Sequence, residues 1–119
     1  MGWWSADILG GDTPLDNLLL LEEIVGKLDN WKCKKSKTKI NKKSVLNWMN
    51  TGYDKSIKAQ LTAELFLANN IKVTKKEKSE IIKLIKQDDW YCDAMKEDCL
   101  TEYDTKRIKV ITDLIERFQ

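Results

Sequence analysis

The strongest pattern in this 119-residue chain is the recurrence of apolar residues at helical spacing. In the C-terminal segment KRIKVITDLIERF, apolar residues fall three or four positions apart at Ile108, Ile111, Ile115 and Phe118. Residues spaced in this way share one face of an α-helix, whereas a half-buried strand alternates apolar and polar residues. No such alternation and no hairpin signal occurs, so the sequence predicts an all-α protein. The length fits a compact single domain over residues 1–119, a bundle of about four to six helices.

The first helix is indicated by start signals in the segment GDTPLDNLLLLEEIVG. Asp12 or Thr13 can cap the exposed amides, and Pro14 suits the first helical position. Asp16 stands three residues after Thr13, which completes a capping box. We expect this helix to end near Gly26, since glycine commonly follows the last helical residue.

The middle of the chain shows the same periodicity in three segments. A short helix is predicted at SVLNWMN, and a well-buried one at DKSIKAQLTAELFLANN, where the small Ala59 and Ala63 allow close neighbours. The segment TKKEKSEIIKLIKQ then opens on a capping box formed by Thr74 and Glu77. Together with the first and last helices, these segments predict one shared core.

Two tryptophans, Trp3 and Trp4, stand before the first helix, where a chain terminus commonly frays. Bulky aromatic side chains at such a place either fill the core or anchor a partner. Gly10 and Gly11 permit a sharp bend. We therefore expect residues 1–11 to form an N-terminal arm that folds back over the core.

The Lys-rich loop, residues 30–43, carries seven lysines and little apolar periodicity. Lysine side chains can neutralise the phosphates of a nucleic acid. The loop contains no arginine to read guanine edges, and Trp31 is its only aromatic residue. A solvated loop is therefore the favoured interpretation, and nucleic-acid binding by this loop is the alternative.

The segment between Asp88 and Asp104 is acidic, with seven carboxylates and one lysine. It also contains Trp90, Tyr91 and Tyr103, and large amphipathic rings are favoured in protein interfaces. In one interpretation this segment is a partner surface. In the other, Trp90 packs into the core and the acids are merely exposed.

Several kinds of chemistry are excluded by residues that the chain lacks. It has no histidine and no glycine-rich phosphate loop, which argues against Ser-His-Asp and Cys-His catalysis and against a nucleotide site. The odd number of cysteines, Cys33, Cys92 and Cys99, indicates reduced thiols in a cytoplasmic protein and predicts no metal site. We expect no cofactor. The longest apolar run has four residues, so no membrane segment is expected either.

Asp16 and Glu64 are the carboxylates that could serve a small enzyme as general acid and base. Capping already explains Asp16. Glu64 adjoins apolar positions, where a carboxylate is costly to bury unless a donor binds it. We expect Glu64 to be structural and to hold the N-terminal arm, which leaves an enzyme as the third interpretation.

The opening segment resembles a bacterial and phage domain-of-unknown-function family whose members commonly begin Met-Gly-Ala-Trp-Gly and continue to Asp-Thr-Ala-Leu-Asp. The matching positions are Met1, Gly2, Trp4, Asp12, Thr13, Leu15 and Asp16. Further on, Ala63 and Glu64 are similar to an Ala-Ala-Glu helix of that family. The resemblance implies a small α-helical domain without known catalytic residues, with Trp4 as the tryptophan that fills the core. Trp3 then points toward solvent or a partner if side chains alternate along the arm.

The sequence favours a non-catalytic module that binds another protein. Abundant Lys, Ile and Asn with only two arginines is the bias of an AT-rich genome, as in many bacteriophages. We therefore expect a phage-encoded inhibitor that occupies a host defence or restriction protein with a basic surface, in the host cytoplasm. The expected contact residues are Trp3, Tyr91, Asp93, Asp98 and Tyr103. Self-association into a homo-oligomer stays open.

Overall fold

Six α-helices follow one another in the computed structural model, which describes residues 5–8, 10–25 and 39–119. They are α1 (Asp12–Val25), α2 (Lys42–Met49), α3 (Lys55–Ala68), α4 (Lys75–Ile85), α5 (Asp89–Lys96) and α6 (Glu102–Phe118). The described residues contain no strand, and the expected all-α single domain is confirmed. The predictions for Trp3, Trp4, Cys33 and most of the Lys-rich loop lie outside the described residues.

Helix α3 is the centre of the bundle, because it contacts α1, α2, α4 and α6. Its small residues Ala59 and Ala63 are fully buried, as the sequence predicts, and let these neighbours approach closely. Apolar side chains from five helices surround them and form one core. Its members with at most 1% exposure include Leu21, Val45, Met49, Leu61, Leu65, Phe66, Ile81, Ile85, Ile111 and Leu114.

The starts of α4 and α6 are both closed by capping boxes. At α4, Thr74 and Glu77 bind each other's backbone amides, as predicted. The same reciprocal arrangement joins Thr101 and Asp104 at α6. Each box satisfies two amides that helix geometry leaves without an intrahelical partner.

The start of α1 differs from the prediction. The amide of Leu15 donates to the carbonyl of Gly11 at 3.4 Å, so Gly11 occupies the cap position and Asp12 is the first helical residue. Thr13 therefore lies inside the helix and cannot form the expected capping box with Asp16. Pro14 is the third helical residue rather than the first, a position that proline tolerates because its missing amide would have no intrahelical partner. The predicted end of this helix near Gly26 lies outside the described residues, which follow α1 as far as Val25.

The described part of the N-terminal arm turns back on itself and packs against the core. The amide of Ser5 donates to the carbonyl of Gly10 at 3.1 Å, and the amide of Gly10 donates to Asp7 at 3.0 Å. A Cβ at Gly10 would overlap the backbone of Ser5, so this turn needs a glycine. Ala6 and Ile8 are buried, which confirms that the arm folds over the core.

Candidate functional site

A buried ion pair lies where α3, α5 and α6 meet. Arg107 of α6 is fully buried, and Asp88, which precedes α5, is 2% exposed. The Arg107 guanidinium binds Asp88 through two nitrogens, Nη2 to Oδ2 and Nε to Oδ1. Gln60 of α3 completes a triangle, because its Oε1 accepts from Arg107 Nη2 at 3.2 Å and its Nε2 donates to Asp88 Oδ2 at 3.0 Å. We call these three residues the Arg107 network.

The Arg107 network also holds the N-terminal arm. Arg107 Nη1 donates to the carbonyls of Ala6 and Asp7, at 3.2 Å in both cases. The arm is thus attached through its backbone by a residue about 100 positions away in sequence. Glu64, which we expected to hold the arm, does not contribute these bonds. Its Oε1 instead binds Arg117 Nη2 on α6 at 2.8 Å.

Trp90 links this network to the start of α6. Its ring lies 5.4 Å from the Arg107 guanidinium carbon, within the range of a cation–π contact. Its Nε1 donates to Asp104 Oδ1 at 2.9 Å. This bond lowers the pKa of Asp104, and the Thr101 amide at the other carboxylate oxygen lowers it further. Trp90 is thus half-buried and stacks on the buried Arg107, whereas Tyr91 is the aromatic residue of the acidic segment that packs against the apolar core.

The sequence pattern contained a signal for Arg107 that we misassigned. The spacing of the last helix predicts Ile108 on its buried stripe, but the structure leaves Ile108 half-buried and buries Arg107 completely. Arg107 stands four residues before the buried Ile111, so it continues the apolar stripe. An arginine at such a position requires a buried acceptor, which Asp88 supplies.

The remaining acids of this segment form what we call the acidic face, on α5 and the turn into α6. Its exposed carboxylates are Asp89, Asp93, Glu97, Asp98 and Glu102. Three large apolar side chains are exposed among them: Met95 at 58%, Leu100 at 41% and Tyr103 at 58%. Acid groups and solvent-exposed apolar side chains therefore occupy one continuous stretch of chain.

The structure keeps some of the predicted contact residues in this face and removes others. Asp93, Asp98 and Tyr103 are exposed, as a partner surface requires. Tyr91 is half-buried and packs against the core, which makes it unsuitable as a free anchor. Asp88 is withdrawn from the surface by its buried bond to Arg107, and the half-buried Asp104 is engaged by Trp90 and Thr101. Met95 and Leu100 were missed, because the predicted contact residues were chosen among aromatic and acidic side chains.

Basic side chains gather around the start of α4. Lys42, the first residue of α2, donates from Nζ to Glu77 Oε1 at 2.9 Å and to the carbonyl of Lys72 at 3.4 Å. These bonds place the start of α2 beside the start of α4. The pKa of Glu77 is lowered, chiefly by the Thr74 amide and then by Lys42, so Glu77 stays ionised within this basic group.

The two carboxylates considered for enzyme chemistry are placed on separate helices. Asp16 is exposed on α1, and Glu64 on α3 is bound to Arg117. A cleft of about 390 Å³ lies between the first turns of α3 and α5, with Asp54, Asp88 and Asp89 in its lining. Within the described residues, no three side chains of the metal-binding types are grouped as a metal ion would need. Cys92 and Cys99 are free thiols, and Cys92 Sγ donates to the Lys86 carbonyl at 3.1 Å.

In the part of the chain that the structure describes, no helix is both long and apolar enough to cross a membrane. Comparisons with protein-family models, with curated proteins and with solved structures find no significant match to this chain. The resemblance of the opening segment to a phage and bacterial family therefore stays a prediction that depends on its motif.

Proposed function

We propose that this protein is a non-catalytic binding module that attaches to a basic surface of another protein through its acidic face. The observation that supports this proposal is the combination of exposed carboxylates with Met95, Leu100 and Tyr103, three apolar side chains left outside the core. Interfaces with high affinity commonly bury aromatic and large apolar anchors, and surrounding charges guide the approach of the partner. The acidic face offers both.

The rigid support of the acidic face favours the same proposal. Helix α5 is short, with Ala94 as its only fully buried residue, so its own burial would hold it weakly. Its position is set instead by Asp88, whose Oδ1 accepts from the Tyr91 amide at 2.7 Å while the same carboxylate binds Arg107. A surface that is ordered before binding loses less conformational entropy when a partner attaches. The Arg107 network is therefore the structural basis of the acidic face.

The sequence composition, which is typical of a phage protein, extends this proposal to a biological role. A phage-encoded protein of this kind would act in the host cytoplasm and would block a host defence or restriction protein by occupying its basic surface. Enzymes that bind DNA carry such basic surfaces, since they must neutralise phosphates. An acidic protein face competes for the same charges.

The test is capture of host proteins from lysate with charge-reversed variants. The double variant Asp93→Lys/Asp98→Lys reverses two exposed charges of the acidic face. The control Glu80→Lys/Glu116→Lys makes the same change in net charge at exposed positions elsewhere. We expect a specific partner to be lost by the first variant and retained by the control, with capture that weakens as salt concentration rises.

A third variant, Tyr103→Ala, measures the contribution of an apolar anchor to binding without changing any charge. We expect it to weaken capture while preserving the salt dependence, because it removes contact area but no charge. Thermal unfolding followed by circular dichroism verifies that all variants are folded. Equal capture by wild type and by the folded Asp93→Lys/Asp98→Lys variant would show that the acidic face is a solubilising surface only.

A further inference from the structure

A second charged surface, which we call the basic face, is formed by the starts of α2 and α4. The bonds from Lys42 Nζ to Glu77 and to the Lys72 carbonyl bring these two helix starts together. The chain segments involved, residues 39–43 and 72–78, carry seven lysines and a single carboxylate, Glu77. Glu77 is itself bound by Lys42 and by the Thr74 amide. The surrounding lysines thus retain a large excess of positive charge.

The lysines of the basic face are accessible. Those exposed to solvent are Lys39, Lys43, Lys72, Lys75 and Lys76. Lys72, Lys75 and Lys76 are about 30 positions after the Lys-rich loop and become neighbours of its end through the fold, which no local sequence pattern indicates. In the sequence, four more lysines occur within the seven residues before Lys39, outside the described residues.

Both helices present their N-terminal ends to the basic face. The first amides of a helix have no intrahelical acceptor, and the helix dipole gives this end a partial positive charge. Helices α2 and α4 therefore add to the field of the lysine side chains. An anion at this surface is therefore attracted both by the lysine charges and by the positive ends of the two helix dipoles.

The basic face differs from the acidic face in one respect that identifies its ligand. The acidic face has three exposed apolar anchors, whereas the large exposed apolar side chains of the described residues do not include any from residues 39–43 or 72–78. Ile40 and Val73 pack against the core instead. A protein interface needs buried anchors of that kind, whereas contact with phosphates depends on charge alone.

We propose that the basic face binds the sugar-phosphate backbone of nucleic acid without sequence preference. Its cationic groups are all lysines, which act as point charges toward phosphate, and it lacks the arginines that read guanine edges. Binding of this type is weak at physiological salt, with Kd on the order of 10⁻⁴ to 10⁻⁶ M, and strengthens steeply as salt is lowered. This surface is separate from the acidic face and does not depend on the function proposed for it.

The experiment measures fluorescence anisotropy of a labelled oligothymidylate and of a labelled DNA duplex between about 50 and 200 mM salt. The test variant is Lys72→Gln/Lys75→Gln/Lys76→Gln. The control, Lys83→Gln/Lys86→Gln/Lys109→Gln, removes three exposed lysines outside the basic face and gives the same net charge. We expect the test variant to lose affinity by about tenfold or more at low salt and the control to lose about threefold or less.

The salt dependence gives a second, independent readout. Each lost phosphate contact lowers the slope of log K against log salt by about 0.9 on duplex DNA, so the test variant should show a slope smaller by about two to three. Equal losses in the two variants would overturn the proposal, because they would indicate attraction to net charge only. Tighter binding of a labelled polyglutamate than of either DNA would overturn it in favour of an acidic protein partner.

A folding defect in the test variant would be detected by thermal unfolding. The variant Lys39→Gln/Lys43→Gln then replaces it, since these exposed lysines lie on α2 and just before it, away from the α4 capping box. We expect a smaller loss of affinity than in the triple variant, of about threefold to tenfold. Wild-type affinity in that folded variant would contradict the proposal.

Discussion

The two arginines of this chain stand ten residues apart on α6, and their surroundings are opposite. Arg107 is fully buried and binds Asp88, Gln60 and the backbone of the N-terminal arm. The side chain of Arg117 is 50% exposed and binds one carboxylate, Glu64. Breaking a buried pair costs about 3 to 5 kcal/mol, whereas an exposed pair is worth about 0 to 1 kcal/mol. Burial, and not residue type, decides which arginine organises the fold.

The same difference separates the two ends of the acidic segment from its middle. Asp88 and Asp104, near its borders, hold structural bonds to Arg107 and Trp90, while Asp93 and Asp98 face solvent. Acids of the first kind position α5 and α6 relative to each other. Acids of the second kind are available to a partner. Substitutions should therefore divide into those that affect stability and those that affect binding.

The largest effect is expected from Arg107→Met. This change leaves the Asp88 carboxylate buried without its cation and releases the carbonyls of Ala6 and Asp7. We expect the free energy of unfolding in urea to fall by about 3 to 5 kcal/mol. The double variant Arg107→Met/Asp88→Asn should recover part of this loss, because it no longer buries an uncompensated charge. A loss below about 1 kcal/mol for Arg107→Met would mean that the network does not organise the fold.

A smaller loss is expected from Gly10→Ala, which tests how the arm is attached. The new Cβ would overlap the Ser5 backbone, so the turn must open and move the carbonyls that Arg107 binds. Overpacking of this kind costs about 1 to 3 kcal/mol. Hydrogen exchange should show faster exchange of the Ser5 and Gly10 amides, whose bonds close the turn.

Asp7→Ala is the control for the arm. It keeps the backbone carbonyl that Arg107 uses and removes an exposed side chain whose one bond within the described residues is the exposed bond that Asp7 Oδ2 accepts from Ser5 Oγ at 3.3 Å. We expect a change within about 0.5 kcal/mol. If Gly10→Ala were equally mild, the contact between arm and network would not contribute to stability.

The opposite end of α6 should respond weakly. We expect Arg117→Ala to lower the free energy of unfolding by about 1 kcal/mol or less, because solvent screens its pair with Glu64. The hydrogen bond to the Glu64 carboxylate raises the pKa of Arg117, so the guanidinium stays protonated. Comparison of the unfolding curves of Arg117→Ala and Arg107→Met checks this difference directly. Equal losses would contradict the contrast between the two arginines.

The helices themselves could be predicted because their signals are local. Apolar residues three or four positions apart identify α3, α4 and α6, and the capping box at Thr74 identifies the start of α4. The cap of α1 was misplaced by one or two residues, because Asp12, Thr13 and Gly11 are all acceptable at that position. Helix α5 escaped prediction because it has only eight residues, so that its apolar residues at helical spacing cover little more than one turn within an acidic segment.

The Arg107 network could not be predicted, because its members are distant in sequence. Asp88 and Gln60 are 19 and 47 residues from Arg107, and Ala6, whose carbonyl Arg107 also binds, is 101 residues away. An arginine in an apolar stripe predicts that some buried acceptor exists, but the identity of that acceptor depends on how the helices pack. The basic face could not be predicted for the same reason, because the bond from Lys42 to Glu77 joins residues 35 positions apart.

The smallest expected effect is a change in one pKa. The Trp90 Nε1 bond is the largest cause of the lowered pKa of Asp104, ahead of the Thr101 amide. Since the pKa of Asp104 is lower in the folded state, its contribution to stability is present above the unfolded value of about 3.9 and is lost as pH falls through the folded value. Trp90→Phe removes the donor, so we expect the pKa of Asp104 to rise while the Thr101 amide keeps it below its ordinary range.

Carbon-detected NMR titration of the Asp104 carboxyl measures this change, and acid unfolding measures its consequence. With the folded pKa closer to the unfolded one, Trp90→Phe should lose less of its remaining stability between about pH 4 and pH 2 than the wild type. Trp48→Phe is the matched control. It is the same type of substitution, but Trp48 lies on α2, away from Asp104. An unchanged Asp104 pKa in Trp90→Phe would show that the Thr101 amide alone sets it. The link from the Arg107 network to α6 would then depend on the stacking of Trp90 over Arg107 and not on its hydrogen bond.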